Sequence, residues 1–165
     1  MDDPYVRSAR VLDPAYVADL DTRSFDDLRT MHSECIELET EVSYVRRLTQ
    51  ARIDILRAEI GRRSDGGSLE DLIQALPQIL ADTSPRGTPA TSRLPLQMAP
   101  EQESEWAPEL ARFDGVLANL PTLTEIELQE SITGLQSLER EVSDQRRELH
   151  GVIDQIDLRL AAQRR

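Results

Sequence analysis

The chain has no lysine, one cysteine and few aromatic rings. All 19 of its basic residues are arginine, which reflects GC-rich coding more than function. The single Cys35 excludes an internal disulfide. Aromatics make up 4% and apolar residues 39% of 165 residues, too few for a wide globular core, so the core must be thin. Positive charge is also short: 31 acids against 19 bases give a net charge of −12, which argues against nonspecific binding to DNA or to an anionic membrane. Any anionic ligand has to be held by local arginines. No apolar run approaches the roughly 18 residues of a membrane span, and none follows Met1, so the expectation is a soluble, cytoplasmic protein. A phosphate-binding glycine loop and a metal-ligand cluster are both missing, and no catalysis and no metal are expected. His32 and His150 are far apart in sequence, Cys35 falls in an apolar seam, and Glu34 and Glu37 beside His32 read as a solvated helix face.

What is abundant is charge in periodic segments. Charged residues reach 30%, with Leu, Glu, Arg, Ala and Gln recurring at helical spacing, which points to long paired helices. Residues 1–23, with Pro4 and Pro14, read as an extended arm with one helical turn after Pro14. Val11, Leu12, Tyr16, Val17 and Leu20 are its candidate anchors. Ser24 is an N-cap with Asp26 and Asp27 in the first turn, and a helix over 24–63 follows, stopped at Ser64-Asp65-Gly66-Gly67. Its seam runs through Leu28, Met31, Cys35, Leu38, Val42 and Val45, then Ile53, Leu56 and Ile60 after a polar interruption at Thr49. Ser68 caps a short helix within 64–81, which Pro77 should kink or end. Residues 82–105, rich in Pro, Ser and Thr and without period, read as a disordered linker. Over 106–121, Trp106, Leu110, Phe113, Val116 and Leu117 form either a small cap on the helical pair or a docking patch, packing being the simpler expectation. Thr122 or Thr124 with Glu125 or Glu127 makes a capping box for a second long helix, 122–163. Its seam repeats every seven residues at Leu128, Leu135, Val142, Leu149 and Ile156, with Leu138 and Val152 between. The expected fold is all-α: an antiparallel two-helix coiled coil with short accessory helices.

One stretch occurs twice. Glu39, Ser43, Arg46, Gln50 and Asp54 return 100 residues later as Glu139, Ser143, Arg146, His150 and Asp154, and Leu28/Leu128, Leu38/Leu138, Glu41/Glu141, Val42/Val142, Arg47/Arg147 and Ile53/Ile153 match as well. At about 100° per residue the five side chains of each copy stay within an arc of roughly 80°, forming a polar stripe roughly 22 Å long. One such stripe is an ordinary solvated face of weak ion pairs. The same order of acid, hydroxyl, arginine, amide or imidazole, and acid, twice over, suits a guanine nucleotide. An Arg fork fits guanine O6 and N7 or a phosphate, and a carboxylate accepts from guanine N1 and N2. Ser and Gln or His can bind phosphate or sugar oxygens.

The doubled spacing E-x3-S-x2-R-x3-Q-x3-D resembles the signature of the RsiG family, anti-sigma factors that use cyclic di-GMP to hold the sporulation sigma factor WhiG. Val42-Ser43-Tyr44-Val45-Arg46-Arg47-Leu48, Arg52-Ile53-Asp54-Ile55 and Leu12-Asp13-Pro14-Ala15-Tyr16-Val17 are also similar to that family. The resemblance covers the arm and both long helices but not the linker. It implies that the two motif helices clasp an intercalated dimer of cyclic di-GMP, and that the loaded protein keeps the sigma factor from RNA polymerase core. Carried over, the ligand residues are Glu39, Ser43, Arg46, Gln50, Asp54, Glu139, Ser143, Arg146, His150 and Asp154, with Arg47 and Arg147 as further ligand or partner contacts. His150 departs from the Gln of the pattern and could make the halves unequal. The competing reading is a coiled-coil adaptor that binds a protein without any nucleotide.

Overall fold

The computed structural model describes residues 6–82 and 104–164, and among these every regular element is helical. Six α-helices follow in order: α1 (Val6–Leu12), α2 (Phe25–Ser64), α3 (Leu69–Asp82), α4 (Ala107–Ala111), α5 (Asp114–Ala118) and α6 (Glu125–Gln163), with single 3-10 turns at Pro14–Tyr16, Leu20–Thr22 and Leu120–Thr122. The helices α2 and α6, 40 and 39 residues long, dominate the molecule.

Local chemistry sets where the long helices begin and end. Ser24 and Asp27 form a reciprocal capping box at the start of α2, and Thr124 with Glu127 does the same for α6, which selects between the two candidates in the sequence. Gly66 ends α2: its φ of 69° is the left-handed conformation that a Cβ disfavours. Gly66 N–H then bonds Arg63 O at 3.3 Å and Gly67 N–H bonds Arg62 O at 2.9 Å, the paired closure of a Schellman motif. Ser68 and Asp71 cap α3, with Ser68 N–H 2.6 Å from Asp71 Oδ2.

The two long helices run antiparallel, since the end of α2 meets the start of α6 and the reverse. Arg63 donates to Leu123 O at 2.6 Å, while Gln163 donates to Arg23 O at 3.0 Å. Their shared seam buries Leu28, Cys35, Leu38, Val42, Val45, Ile53 and Leu56 against Leu128, Leu135, Leu138, Val142, Leu149, Val152 and Ile156. Each buried aliphatic side chain contributes about 1.5–3 kcal/mol of transfer free energy, so this one stripe carries most of the hydrophobic driving force. Thr49 does not interrupt it. The side chain is fully buried, and its hydroxyl donates to Val45 O at 2.9 Å within the helix.

Several expectations are corrected. The N-terminal arm is not extended before Pro14, because Val6–Leu12 forms two helical turns. A helix this short is unstable alone, and its order comes from packing. Val11 is fully buried, and Leu12, Tyr16, Val17 and Leu20 pack on the same cluster. Pro77 lies inside α3 without ending it. The ring removes one backbone bond, to the carbonyl of Ile73, on an exposed face of the helix where water can satisfy it. Of the expected linker, 83–103 lies outside the described residues. Its two edges are ordered: Asp82 closes α3, and Glu105 accepts from the N–H groups of Arg7 and Ser8 at 3.0 and 3.3 Å. The segment after it packs as a cap, with Trp106 and Leu110 buried and the indole N–H donating to Gln145 Oε1 at 2.9 Å.

Two buried glutamates had no signal in the periodicity. Glu41 accepts from Arg7 and, at 2.6 Å, from the N–H of Glu105, so it joins α1, α2 and the chain before α4. Glu59, with no exposed surface, sits between Arg62 and Arg63 at 2.7 and 2.6 Å. Arg63 continues to the carbonyls of Leu123 and Leu120 at 2.6 and 3.0 Å, tying the end of α2 to the start of α6.

Candidate functional site

The two polar stripes lie on the same side of the helical pair and meet across it. Arg146 Nε on α6 is 3.0 Å from Glu39 Oε1 and 2.7 Å from Ser43 Oγ on α2. His150 Nε2 is 3.1 Å from the same Glu39 oxygen. The reciprocal contact, Arg46 Nη1 to Glu139 Oε1, is longer at 3.8 Å. Each stripe also repeats one internal bond: Ser43 Oγ donates to Glu39 Oε1 at 2.7 Å and Ser143 Oγ to Glu139 Oε1 at 2.9 Å. Exchanging position i with i+100 thus turns the Glu39–Arg146 pair into Glu139–Arg46, which is a local pseudo-two-fold axis. The duplication in sequence supplies the matching faces, and the antiparallel docking supplies the axis.

Not every station of the stripes meets its counterpart. Glu39, Ser43, Arg46, Glu139, Ser143, Arg146 and His150 are brought together. Gln50 stays on its own helix, donating to Asp54 Oδ1 at 3.1 Å, and Arg57 lies 3.9 Å from the same oxygen. Asp154 is exposed and makes no bond among the described residues. The reason is geometric: in an antiparallel pair whose stripes cross near 39–46 and 139–146, positions 54 and 154 lie about 12 Å beyond the crossing, at opposite ends. Arg147 is turned away, 3.0 Å from Asp144 on its own helix, whereas Arg47 is half-buried.

Electrostatics favour the charged forms at the crossing. Burial alone would raise the Glu39 carboxyl, but hydrogen bonds from Ser43, His150 and Arg146 outweigh it and hold it below the usual carboxylate range. Hydrogen bonds from Arg62, together with Arg63, depress Glu59 likewise. The capping carboxylates Asp27, Asp71 and Glu127 are lowered by their serine and threonine partners. A depressed folded pKa contributes stability that is present above the unfolded value of about 4.3 and is lost as pH falls through the folded value. The melting temperature should therefore be level from neutrality to about pH 5 and fall steadily below about pH 4. Circular dichroism melts across that range check this, and a midpoint that holds or rises on acidification would contradict it.

The side chains weighed for catalysis or metal binding have other partners. His32 pairs with Asp157 at 3.2 Å, and Glu34 is taken by Arg10 and, at 2.8 Å, by the Tyr16 hydroxyl. Among the described residues no group of His, Cys, Asp and Glu could hold a metal ion, and no helix is long and apolar enough to cross a membrane. Cys35 is buried in the seam, where burial raises its thiol and the Tyr16 contact only partly offsets that.

The arrangement presents carboxylates, hydroxyls and guanidiniums from two helices on one face. No curated protein matches the chain. A family model described as RsiG-like matches residues 14–80, which holds the turn at Pro14, the whole first stripe and α3 to Leu80. The second stripe, outside that span, is tied to the first by the repeat in sequence and by the contacts across the axis. Residues 14–80 are therefore similar to the RsiG-like family.

Proposed function

We propose that the chain binds cyclic di-GMP between its two stripes and, when loaded, sequesters a sigma factor of the WhiG type from RNA polymerase core. The observation that carries this reading is the reciprocal pairing of Glu39 with Arg146 and of Glu139 with Arg46 across the pseudo-two-fold axis. A ligand with two equivalent guanines suits a face with two equivalent sets of partners. Each carboxylate takes a guanidinium from the other helix. Guanine N1 and N2 hydrogens can replace that guanidinium on the acid, which frees the arginine for O6 and N7 or for a phosphodiester. The exchange swaps one set of bonds for another, so few buried polar groups are left unpaired.

The ten stripe residues are not equal in this scheme. Glu39, Ser43, Arg46, Glu139, Ser143, Arg146 and His150 form the centre, while Gln50, Asp54 and Asp154 would reach the outer parts of a ligand dimer. The net charge of −12 complements the basic surfaces that sigma factors use on DNA and polymerase. A nucleotide-independent adaptor is the reading that the outward apolar ridge of α3 would favour, where Leu69, Ile73 and Leu80 are all exposed. Size-exclusion chromatography of the chain with a WhiG-type sigma factor separates the two. Co-elution should require cyclic di-GMP, and co-elution to the same extent without it would replace this reading with the adaptor.

A further inference from the structure

The two halves of the repeat differ beside the arginines. Position 44 is Tyr and its counterpart 144 is Asp. Asp144 lies 3.0 Å from Arg147, with the two side chains 63% and 76% exposed, so Arg147 is drawn out over solvent along its own helix. Tyr44 offers no carboxylate and packs against the core. Arg47 is accordingly left half-buried, without a hydrogen bond or ion pair among the described residues. Burial and then the charge of Arg46 press its pKa down, with Arg146 adding to them and Glu39 opposing.

Three guanidiniums, those of Arg46, Arg47 and Arg146, thus converge on a face with two carboxylates. Glu139 and Glu39 engage Arg46 and Arg146, and Arg47 is the cation left unmatched. Arg46 Nε is also buried without an acceptor. A half-buried cation with no counterion is unfavourable until an anion reaches it. We propose that Arg47 binds a phosphodiester of the ligand and that Arg147 does not, so the duplicated site holds a cyclic dinucleotide more strongly through the α2 flank than through the α6 flank. This rests on the nucleotide-binding reading above. The chemistry is the fit of a planar fork of N–H donors to two phosphate oxygens, in a setting where the anion also relieves the repulsion from Arg46 and Arg146.

Isothermal titration of cyclic di-GMP into the full chain tests it, with wild type, Arg47→Ala and Arg147→Ala compared at low and high salt. Arg47→Ala should weaken binding by about tenfold, the scale of one charge-assisted contact, and make the remaining affinity less sensitive to salt. Arg147→Ala should stay within about twofold, as expected for an exposed charge. The melting temperature of Arg47→Ala should not fall, because the side chain bonds nothing in the free protein. Equal weakening by both variants, or an Arg47→Ala affinity within about twofold of wild type, overturns the inference and leaves the nucleotide reading standing. Failure of the wild type itself to bind cyclic di-GMP overturns both.

Discussion

Arg146→Ala should weaken cyclic di-GMP binding by about 1–3 kcal/mol, roughly five- to 150-fold, the range of one bidentate contact to a guanine edge. Arg146 is the residue that joins the two stripes most closely, through Glu39 at 3.0 Å and Ser43 at 2.7 Å. Those same bonds raise the objection that the variant merely loosens the coiled coil. Magnitudes answer it. The Arg146 and Glu39 side chains are 37% and 20% exposed, and a partly solvated pair of that kind contributes under about 1 kcal/mol to stability. Binding should therefore fall far more than the melting temperature does. Arg46→Ala should act in the same direction, as its mate across the axis. Calorimetry giving wild-type affinity for either variant, or equal affinity for the adenine analogue, would remove the stripes from any role in guanine recognition.

Glu59→Ala should be among the most destabilising single changes in the chain, at about 3–5 kcal/mol. The carboxylate is fully buried between two guanidiniums. Its removal leaves Arg62 and Arg63 with a half-buried charge each and frees Arg63 from the geometry in which it holds the carbonyls of Leu120 and Leu123. That is a large share of the 5–15 kcal/mol available to a typical domain. Urea denaturation reads it as a lower midpoint at unchanged slope, against an exposed control such as Glu37→Ala, where about 0.5 kcal/mol or less is expected. Glu59 lies about 20 Å along α2 from Arg46, so the nucleotide affinity of the folded fraction should stay near wild type. A midpoint equal to that of the control would mean that the buried cluster is worth no more than a surface pair.

Much of the molecule is readable from local chemistry. The caps at Ser24, Ser68 and Thr124 and the stop at Gly66 depend on side chains within three residues of the backbone groups they satisfy. The seam is readable because a single narrow apolar stripe on a long helix has few ways to be buried. Elsewhere the signal is nonlocal. In the sequence, Val6–Leu12 reads as part of an extended arm because nothing near it in sequence stabilises a helix there. Its support comes from Glu105 and Glu41, which cap and anchor it from 98 and 34 residues away. Pro77 reads as a break under the rule for buried helices, and the rule relaxes where water can satisfy the freed carbonyl. Glu41 and Glu59 look like ordinary surface acids, since only the arrival of arginines makes burial tolerable for them.

For the site, the sequence alone determined which side chains share a face, because helical periodicity and exact spacing leave no freedom about that. It also carried the duplication, and with it the prospect of two equivalent half-sites. Only the tertiary structure decided that the two faces meet, that they cross near 39–46 and 139–146, and that Asp54 and Asp154 fall outside the crossing. Register between two helices is set by how seam residues interdigitate, and no single helix contains that information. The inequality of Arg47 and Arg147 belongs to the same class. Identical residues at identical places in a repeat were separated by what stands three residues away and by how much of the partner helix lies over them.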